Sequence, residues 1–318
     1  MPDYRPVDPR KSPRFAGIKT FMRLPHIETT EDIDFAVVGV PFDTGASYRV
    51  GARFGPEAIR GVSALLRHYN QVLDVGIFDH CSGIDFGDLP VNPGYIEDSY
   101  KMIEEGLEPL LDAGVVPVML GGDHSVTLPE LRAVAKRFGP VALIHFDSHS
   151  DTGDKRFGRK YTHGTPMRRA LEEELLLIEN SIQVGMRGSI YARDSLDEAR
   201  EMGFDLLTTN QVLDLGLDAV IQRIRERVGG AKAFVSFDID FVDPAYAPGT
   251  GTPEVGGFTS REALRLVRGL VGLDIVAYDL VEMLPQYDPS QATALLAANI
   301  VYEFLSLISL EKKRRSDA

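Results

Sequence analysis

Two clusters of acidic residues have the composition and spacing of a metal site. In the first, DSHSD, two carboxylates and an imidazole alternate with serines, and the second is an acidic pair separated by one isoleucine. The residues concerned are Asp147, His149, Asp151, Asp238 and Asp240. Because alternate residues of a strand point to one face, we expect the first three to project together from one strand and the last two from another. Converging carboxylates repel each other and raise one another's pKa unless cations neutralise them, so the pattern predicts a site for two divalent metal ions.

A third motif, GGDHS at 121–125, follows an apolar run and presents a histidine just beyond it. Its glycines permit a sharp turn beside a ligand, but it lacks the lysine and the spacing of a phosphate-binding Walker loop. We therefore add this histidine to the expected metal ligands, which are His124, Asp147, His149, Asp151, Asp238 and Asp240. Imidazoles and carboxylates suit Mn²⁺ or another first-row dication, whereas a structural zinc site favours thiolates.

A dinuclear metal site predicts hydrolysis, since two neighbouring dications can hold a bridging water and supply hydroxide at neutral pH. The charges of four aspartates balance those of two dications, so a bridging hydroxide leaves the centre negative and attracts a cationic electrophile. A dinuclear metallophosphatase is one alternative, but its phosphate would require arginines beside the metals. A regulatory relative that keeps the fold without the activity is another, and metal content together with product release would distinguish it.

Two further residues are candidates for proton transfer and charge recognition. His163 lies in the segment YTHGTP, next to a glycine, and we expect it to be flexible, exposed at the cleft and able to act as a general acid or base. Glu282 ends an apolar strand and can pair with a cationic substrate, although alone it would indicate a buried ion pair. Together with Asp151 these two form the predicted catalytic set. His145 shares the face of Asp147, and we expect it to support that carboxylate from behind rather than to bind metal.

Short apolar runs alternate with helical patterns along the chain. The predicted strands are 35–40, 115–120, 141–146, 181–185, 233–238 and 275–279. The predicted helices are 56–68, 96–113, 128–138, 167–178, 217–227, 260–271 and 291–310. This alternation indicates an α/β fold whose central, mostly parallel sheet is covered by helices on both faces. Since the sequence contains no linker or repeat, we expect one domain over 1–318, with the ligand crevice at the carboxyl ends of the strands.

The composition argues against several other classes of protein. A net charge of −13 opposes binding to nucleic acid, which requires a basic face. The N-terminus has no apolar core like that of a signal peptide, and the single cysteine, Cys81, permits no intramolecular disulfide, so we expect a cytoplasmic location. The apolar stretch 292–310 carries Asn299 and Glu303, and a membrane span tolerates a central carboxylate poorly. We expect a buried helix there and no membrane partner.

Several motifs recur together in one known family. They are GGDHS at 121–125, DSHSD at 147–151, SFDIDFVDPAYAPGTGTPE at 236–254, GARFGPEAIR at 51–60 and DLVEMLPQYDPSQATALLAAN at 279–299. In this order they resemble the ureohydrolase family of arginase, agmatinase and the guanidino-acid hydrolases. The resemblance implies a three-layer α/β/α fold, a homo-oligomer (trimer or hexamer) and a small guanidino substrate. It also implies two Mn²⁺ ions per subunit, with Ni²⁺ or Co²⁺ as alternatives.

The same resemblance implies a role for each candidate residue. The ligands implied for the first metal are His124, Asp147, Asp151 and Asp238. Those implied for the second are Asp147, His149, Asp238 and Asp240, so that Asp147 and Asp238 bridge the two ions. His163 would transfer protons, and Glu282 would bind the guanidinium group. Ser148 replaces the alanine that is usual in the family, and we expect its side chain to point away from the metals.

The far end of the substrate is predicted from the basic residues near the site. The segment 247–254 is similar to agmatinases and guanidino-acid hydrolases, and the arginase motif that grips an α-amino acid is not evident between 152 and 163. The basic stretch 154–160, with Arg168-Arg169 and Arg187 after it, resembles the guanidino-acid hydrolases. A basic entrance favours a carboxylate tail, unless these cations simply face solvent. We expect 4-guanidinobutyrate or 3-guanidinopropionate ahead of agmatine, with a formiminoglutamate-type hydrolysis as a further alternative.

Overall fold

A parallel sheet of eight strands forms the centre of the protein in the computed structural model, which describes residues 4–317. In chain order the strands are β1 (Phe35–Gly39), β2 (Tyr69–Asn70), β3 (Val75–Gly76), β4 (Gly83–Asp88), β5 (Val116–Leu120), β6 (Ala142–Phe146), β7 (Ile182–Met186), β8 (Asp205–Thr208), β9 (Ala233–Asp238) and β10 (Ile275–Val281). The order across the sheet is β4-β1-β5-β10-β9-β6-β7-β8, and every neighbouring pair is parallel. The short strands β2 and β3 form a separate antiparallel pair.

Helices cover both faces of this sheet. They are α1 (Gly55–Ser63), α2 (Ile77–His80), α3 (Ile96–Asp112), α4 (Thr127–Phe138), α5 (Pro166–Glu172), α6 (Ser195–Glu201), α7 (Thr209–Leu215), α8 (Leu217–Val228), α9 (Ser260–Arg268) and α10 (Ala292–Asp317). Apolar side chains of α1, α8, α9 and α10 pack on one face, and those of α3, α4 and α5 pack on the other. Adjacent residues of β1, Val37 and Val38, belong to different clusters, as the alternation along a strand requires. The predicted three-layer α/β/α fold is confirmed.

The predicted elements are accurate in the middle of the sheet and less so at its edges. All six predicted strands are present, with ends within two residues of the prediction, but the outermost strands β4 and β8 were not predicted. An edge strand is covered less completely than a central one, so its sequence need not be a continuous apolar run. Helix α5 ends well before the predicted residue 178, because Glu174 takes a left-handed φ of 57°. Helices α1 and α9 also end earlier than predicted.

Four neighbouring central strands end at the sequence motifs. In sheet order these are β5, β10, β9 and β6, which end at Leu120, Val281, Asp238 and Phe146. Because parallel strands all place their carboxyl ends at the same edge of a sheet, the GGDHS, DSHSD and acidic-pair motifs meet there, together with Glu282. The sheet therefore brings the candidate residues together before any side-chain contact is considered.

Helix α10 is the core helix that the sequence predicted. By length and composition it is apolar enough to cross a membrane, but 83% of its most apolar window is buried inside the protein. Glu303, the carboxylate in its middle, is buried and pairs with Arg268 at 2.6 Å. A helix whose apolar surface is already covered by protein has no such surface left for lipid. Its apolar composition is therefore explained by packing against the sheet.

Candidate metal centre

The first acidic cluster lies in a turn rather than along a strand, so this part of the prediction was wrong. Strand β6 ends immediately before Asp147, and 147–151 form a loop in which Asp151 has a left-handed φ of 51°. The reason is local hydrogen bonding, since Oδ1 of Asp147 accepts the backbone N–H of His149 at 2.6 Å. An aspartate that binds the backbone two residues further on favours a turn over extended chain.

The second acidic cluster turns in the same way. Asp238 is the last residue of β9, but Asp240 lies in the 3₁₀ turn Ile239–Phe241. Oδ1 of Asp238 accepts the backbone N–H of Asp240 at 2.8 Å. Both clusters thus leave the sheet through an aspartate-capped turn, and both still direct their carboxylates to a common point. The predicted convergence is therefore present, although strand alternation does not produce it.

One group of candidate ligands surrounds the ring of His124. Its Nδ1 lies 3.0 Å from Oδ2 of Asp147, 3.0 Å from Oδ2 of Asp151 and 3.2 Å from Oδ2 of Asp238. The other ring nitrogen, Nε2, is 2.9 Å from the hydroxyl of Ser236. The ring is fully buried, and Nδ1 has no conventional hydrogen-bond partner. A hydroxyl behind the ring therefore leaves one nitrogen aimed at three carboxylates.

A second group surrounds the ring of His149. Its Nδ1 lies 3.1 Å from Oδ2 of Asp240 and 3.6 Å from Oδ1 of Asp147. Oδ2 of Asp240 is buried and accepts no hydrogen bond from the described residues. Asp147 therefore belongs to both groups, with one carboxylate oxygen directed to each.

The pKa shifts of Asp238, Asp240 and His124 are those expected of a site that binds cations. Burial and the neighbouring charges of Asp240 and Asp147 raise the pKa of Asp238 well above its usual range. Burial, followed by the charge of Asp147, also raises the pKa of Asp240. Burial opposes a charge on His124, but its three carboxylate partners raise its pKa well above the ordinary value. Buried carboxylates that repel each other, with imidazole nitrogens directed at them, form a donor set suited to divalent metal ions.

The double glycine before His124 allows the chain to approach its neighbour closely. A Cβ on Gly122 would lie only 1.6 Å from the carbonyl oxygen of Phe42. That same oxygen accepts the backbone N–H of Asp123 at 2.8 Å. A side chain at position 122 would therefore displace the loop that holds His124, which gives the GGDHS motif a steric reason for its second glycine.

His145 occupies the supporting position that the sequence predicted. Its Nε2 is 2.8 Å from Oδ2 of Asp147, and Nε2 of Gln183 donates to its Nδ1 at 3.0 Å. The amide donor fixes the neutral tautomer in which Nε2 carries the proton and donates it to the carboxylate. Both ring nitrogens therefore bind protein groups, and the residue orients Asp147.

Ser148 does not point away from the centre, contrary to the expectation from the sequence. Its hydroxyl donates to Oδ1 of Asp240 at 2.7 Å, and its backbone N–H donates to the same oxygen at 3.1 Å. Its side chain is buried and also lies 3.2 Å from Nδ1 of His149. The expectation failed because it assumed an extended chain at 148, whereas the turn rotates this side chain toward Asp240. The hydroxyl therefore orients a candidate metal ligand.

His163 lies on the wall of the cavity, as expected, but its ring is mostly buried and hydrogen-bonded rather than freely exposed. Its side chain is only 11% exposed, with Nδ1 2.9 Å from Oε1 of Glu282 and Nε2 2.7 Å from Oγ of Ser47. The backbone N–H of Ser47 also donates to Nε2, at 3.1 Å. Burial opposes a charge on the ring, but the charge of Glu282 raises the pKa of His163 to about 9.

Glu282 follows β10 directly, as predicted, and adopts a left-handed φ of 63°. Its Oε1 accepts from both His163 Nδ1 and the backbone N–H of His124, each at 2.9 Å. Burial opposes its negative charge, but the charge of His163 lowers the pKa of Glu282 below its usual range. The side chain is 2% exposed. Its immediate partner is therefore the imidazole of His163, which forms part of the cavity wall.

A cavity of about 530 Å³ lies over the centre. Several candidate residues form part of its wall, including His149, Asp151, Asp238 and His163. The other polar wall residues were not predicted as site residues; most lie outside the motifs, although Thr252 and Glu254 belong to the motif 236–254. These residues are Ser47, Tyr48, Arg49, Ser189, Tyr191, Ser195, Thr252 and Glu254.

The basic residues near the site have different environments. Of the stretch 154–160, only Arg156 reaches the cavity wall, where its guanidinium lies 4.3 Å from the centre of the Tyr191 ring. Arg168 donates to a backbone carbonyl at 2.7 Å, and the buried Arg169 pairs with two carboxylates. The guanidinium of Arg187 lines the cavity but binds the backbone carbonyls of the loops beside the centre.

Comparisons with known proteins agree with this geometry. A model of the arginase family matches residues 33–306. The chain belongs to the arginase family. Guanidinopropionase of Pseudomonas aeruginosa is 45% identical to this chain over 306 residues, which cover 96% of each protein. Guanidinobutyrase of the same organism is 42% identical over 308 residues, which cover 96% of this chain and 97% of that enzyme. The crystal structure of proclavaminate amidino hydrolase from Streptomyces clavuligerus has a TM-score of 0.91 and 43% identity, covering 94% of this chain and 99% of that one.

The arginase-family match contains every candidate metal ligand. It begins just before β1 and ends within α10, so it spans the whole central sheet. The relatives cover the chain at nearly full length, and the arginase-family fold is therefore shared across the chain rather than in one segment.

Proposed function

We propose that the protein is a metal-dependent amidinohydrolase that converts a linear guanidino compound to urea and an amine. The observation that carries the proposal is the pair of histidine–aspartate groups that share Asp147 beside an open cavity. Hydrolysis of an amidine C–N bond is also the chemistry of the arginase-family relatives named guanidinopropionase and guanidinobutyrase. A cationic guanidinium matches the excess of buried carboxylates at the end of this cavity.

The two groups of side chains would each hold one divalent metal ion, and we propose Mn²⁺ in both. Ions bound there would lower the pKa of a bound water toward neutrality. The ligands proposed for the first ion are His124, Asp147, Asp151 and Asp238. Those proposed for the second are Asp147, His149, Asp238 and Asp240. A cytoplasmic homo-oligomer, trimeric or hexameric, is proposed as the working form.

His163 is proposed as the proton carrier. In its neutral form Nδ1 donates to Glu282 and Nε2 accepts from the backbone N–H of Ser47, so Nε2 is the ring atom that can take up and release a proton. Water adds to the guanidinium carbon and releases a proton, the C–N bond to the amine breaks, and the protonated ring of His163 delivers a proton from Nε2 to the departing nitrogen. The proton released by the water restores the protonated ring. Glu282 stabilises the protonated ring in this role. Its second oxygen, Oε2, makes no hydrogen bond with residues 4–317 and is proposed to accept from the guanidinium.

The preferred substrate is proposed to carry a carboxylate at its far end. Arg156 supports this, since it is the one cation of the stretch 154–160 on the cavity wall and has no carboxylate partner among residues 4–317. The names of the two Pseudomonas relatives also support a guanidino acid over agmatine. We place 4-guanidinobutyrate or 3-guanidinopropionate first, agmatine second and a formiminoglutamate-type substrate third.

A urea-release assay over a panel of guanidino compounds tests the proposal. Protein is stripped of metal, its metal content is measured, and urea is assayed with and without added Mn²⁺. We expect urea only from the metal-loaded protein, with 4-guanidinobutyrate or 3-guanidinopropionate giving a higher kcat/KM than agmatine. Full activity in protein free of metal would reject the proposal. A clear preference for agmatine would keep the reaction and reject the choice of substrate.

A further inference from the structure

We propose that Arg49, rather than the basic stretch 154–160, is the principal binding group for the carboxylate end of the substrate. The inference rests on the proposed function and assigns the substrate tail to a residue that the sequence motifs do not include. Arg49 lines the same cavity as His163 and Asp238. Within residues 4–317 it pairs with no carboxylate, so its positive charge is available to a ligand.

The guanidinium of Arg49 is held in a defined position. It lies 4.4 Å from the centre of the Tyr287 ring and 5.7 Å from that of Tyr48. Its Nη1 is 3.3 Å from the carbonyl oxygen of Thr250. Contact with the ring faces and one anchored nitrogen leave the remaining N–H groups free at the edge of the plane. A planar guanidinium with a free edge is the group best suited to bind a carboxylate with two parallel hydrogen bonds.

Arg49 also lies close to the residues proposed to handle the reacting end. A Cβ built on Gly251 would be 3.0 Å from Oε2 of Glu282 and 3.6 Å from the carbonyl oxygen of Arg49. Ser47, two residues before Arg49, contacts the ring of His163. The backbone of Arg49 is therefore near the proposed guanidinium acceptor, and its side chain contacts the Thr250 carbonyl and the Tyr287 ring. An anionic acceptor and a cationic donor thus lie in one neighbourhood, as a substrate with a guanidinium at one end and a carboxylate at the other requires.

Arg156 is less suited to the same task. It lies beside a turn whose tip, Phe157, is 83% exposed, and the ring on which it packs, Tyr191, is 86% exposed. An ion pair in such a setting is weakened by water and salt and is worth at most about 1 kcal/mol. The contacts of Arg49 with Thr250 and Tyr287 reduce the entropy lost when a carboxylate binds there. Arg156 therefore adds a weak attraction for the substrate carboxylate at the entrance of the cavity, whereas Arg49 holds that carboxylate in place.

The test compares three substrates that share a guanidinium and differ only in the tail. They are 4-guanidinobutyrate with a carboxylate, agmatine with an ammonium, and n-butylguanidine with no charge. We expect Arg49→Gln to lower kcat/KM for 4-guanidinobutyrate by about tenfold to a hundredfold, mainly through KM, because a hydrogen bond to a charged group is lost. The value for n-butylguanidine should stay nearly constant, and that for agmatine should stay constant or rise.

Three controls separate this inference from a structural effect and from the proposed function. Arg49→Lys keeps the charge and should retain part of the preference for the carboxylate. Arg193→Gln removes a positive charge from an exposed residue outside the cavity wall and should change all three substrates equally. Metal content is measured for each variant. Equal losses on all three substrates in Arg49→Gln would overturn the inference, whereas wild-type protein that releases no urea from any of them would instead reject the proposed function.

Discussion

Replacing Glu282 with glutamine removes a charge while keeping the geometry around it. Oε1 of Glu282 accepts from His163 Nδ1 and from the backbone N–H of His124, both at 2.9 Å. The glutamine carbonyl oxygen can accept both hydrogen bonds in the same place, so the ring of His163 and the loop of His124 should stay in position. The negative charge beside the imidazole is lost, together with the Oε2 acceptor proposed for the guanidinium, so the titration of His163 is the measurement that isolates the electrostatic effect.

The size of the effect follows from the pKa of His163. Burial alone would lower it below 6.5, but the charge of Glu282 raises it to about 9. Without that charge we expect the pKa of His163 to fall toward 6.5, a change of about 3.5 kcal/mol at roughly 1.4 kcal/mol per pKa unit. At pH 8 the protonated fraction of the ring would fall from about nine-tenths to a few hundredths, so a proton donor would be lost from most molecules.

Two measurements check this expectation. The first is a proton NMR titration of the histidines of the metal-free protein, with His163→Asn to assign the resonance. The second is the pH dependence of kcat/KM for the metal-loaded Glu282→Gln variant, whose value at pH 8 should fall at least about tenfold. Metal content should not change, because Glu282 is not among the proposed ligands. An unchanged titration of His163 would refute the electrostatic argument, and loss of metal would refute the assignment of Glu282 outside the metal ligands.

Four further predictions concern single residues of the chain. Asp147→Asn should reduce the bound metal measured by elemental analysis, since an amide cannot offer an anionic oxygen to both groups; full metal content would contradict its shared position. His163→Asn should lower kcat by at least about tenfold with metal content unchanged, and an empty metal site would show that the residue is a ligand instead. Ser148→Ala should weaken metal binding by about tenfold, as for other residues that orient a ligand, measured by competition with a chelator; equal affinity would mean that its bond to Asp240 is without consequence. Burial raises the pKa of Cys81 to about 12, so its thiol should react with a disulfide reagent at pH 8 only after unfolding, and rapid reaction of the folded protein would contradict this.

The ion pair between His163 and Glu282 also predicts how the free energy of unfolding of the metal-free protein depends on pH. Because Glu282 raises the pKa of His163 above its unfolded value, the stabilisation from this group is fully present below pH 6.5 and is lost as the pH rises through about 9.

The sequence was sufficient to predict the central strands and the convergence of the ligands, for a clear physical reason. A strand buried on both faces is mostly apolar, so β5, β6, β9 and β10 are visible as largely apolar runs even though buried polar residues such as His145 and Asp279 interrupt them. Parallel strands end at one edge, so polar residues that follow such runs meet in space. The outer strands β4 and β8 are not fully buried on both faces, so they do not form such apolar runs and were not predicted.

The features that the sequence did not predict depend on contacts between distant segments. The orientation of Ser148 follows from a turn closed by a hydrogen bond of Asp147, which residue alternation cannot represent. The rigid setting of His163 depends on Ser47, more than a hundred residues away in the chain. Arg49 belongs to none of the motifs, and its role can be inferred only from its contact with the ring of Tyr287. Such relations are set by tertiary packing rather than by local pattern.

The backbone at two site residues sets a limit on how stable this protein can become. Asp151 and Glu282 have φ values of 51° and 63°, a region that side chains other than glycine occupy at a cost of about 1 kcal/mol or more each. Glycine at either position would relieve this strain and remove the carboxylate proposed to act there. A search for thermostable variants that is blind to activity would therefore favour such replacements. Selection for urea release would reject them, so part of the stability that this fold could have is given up at its centre.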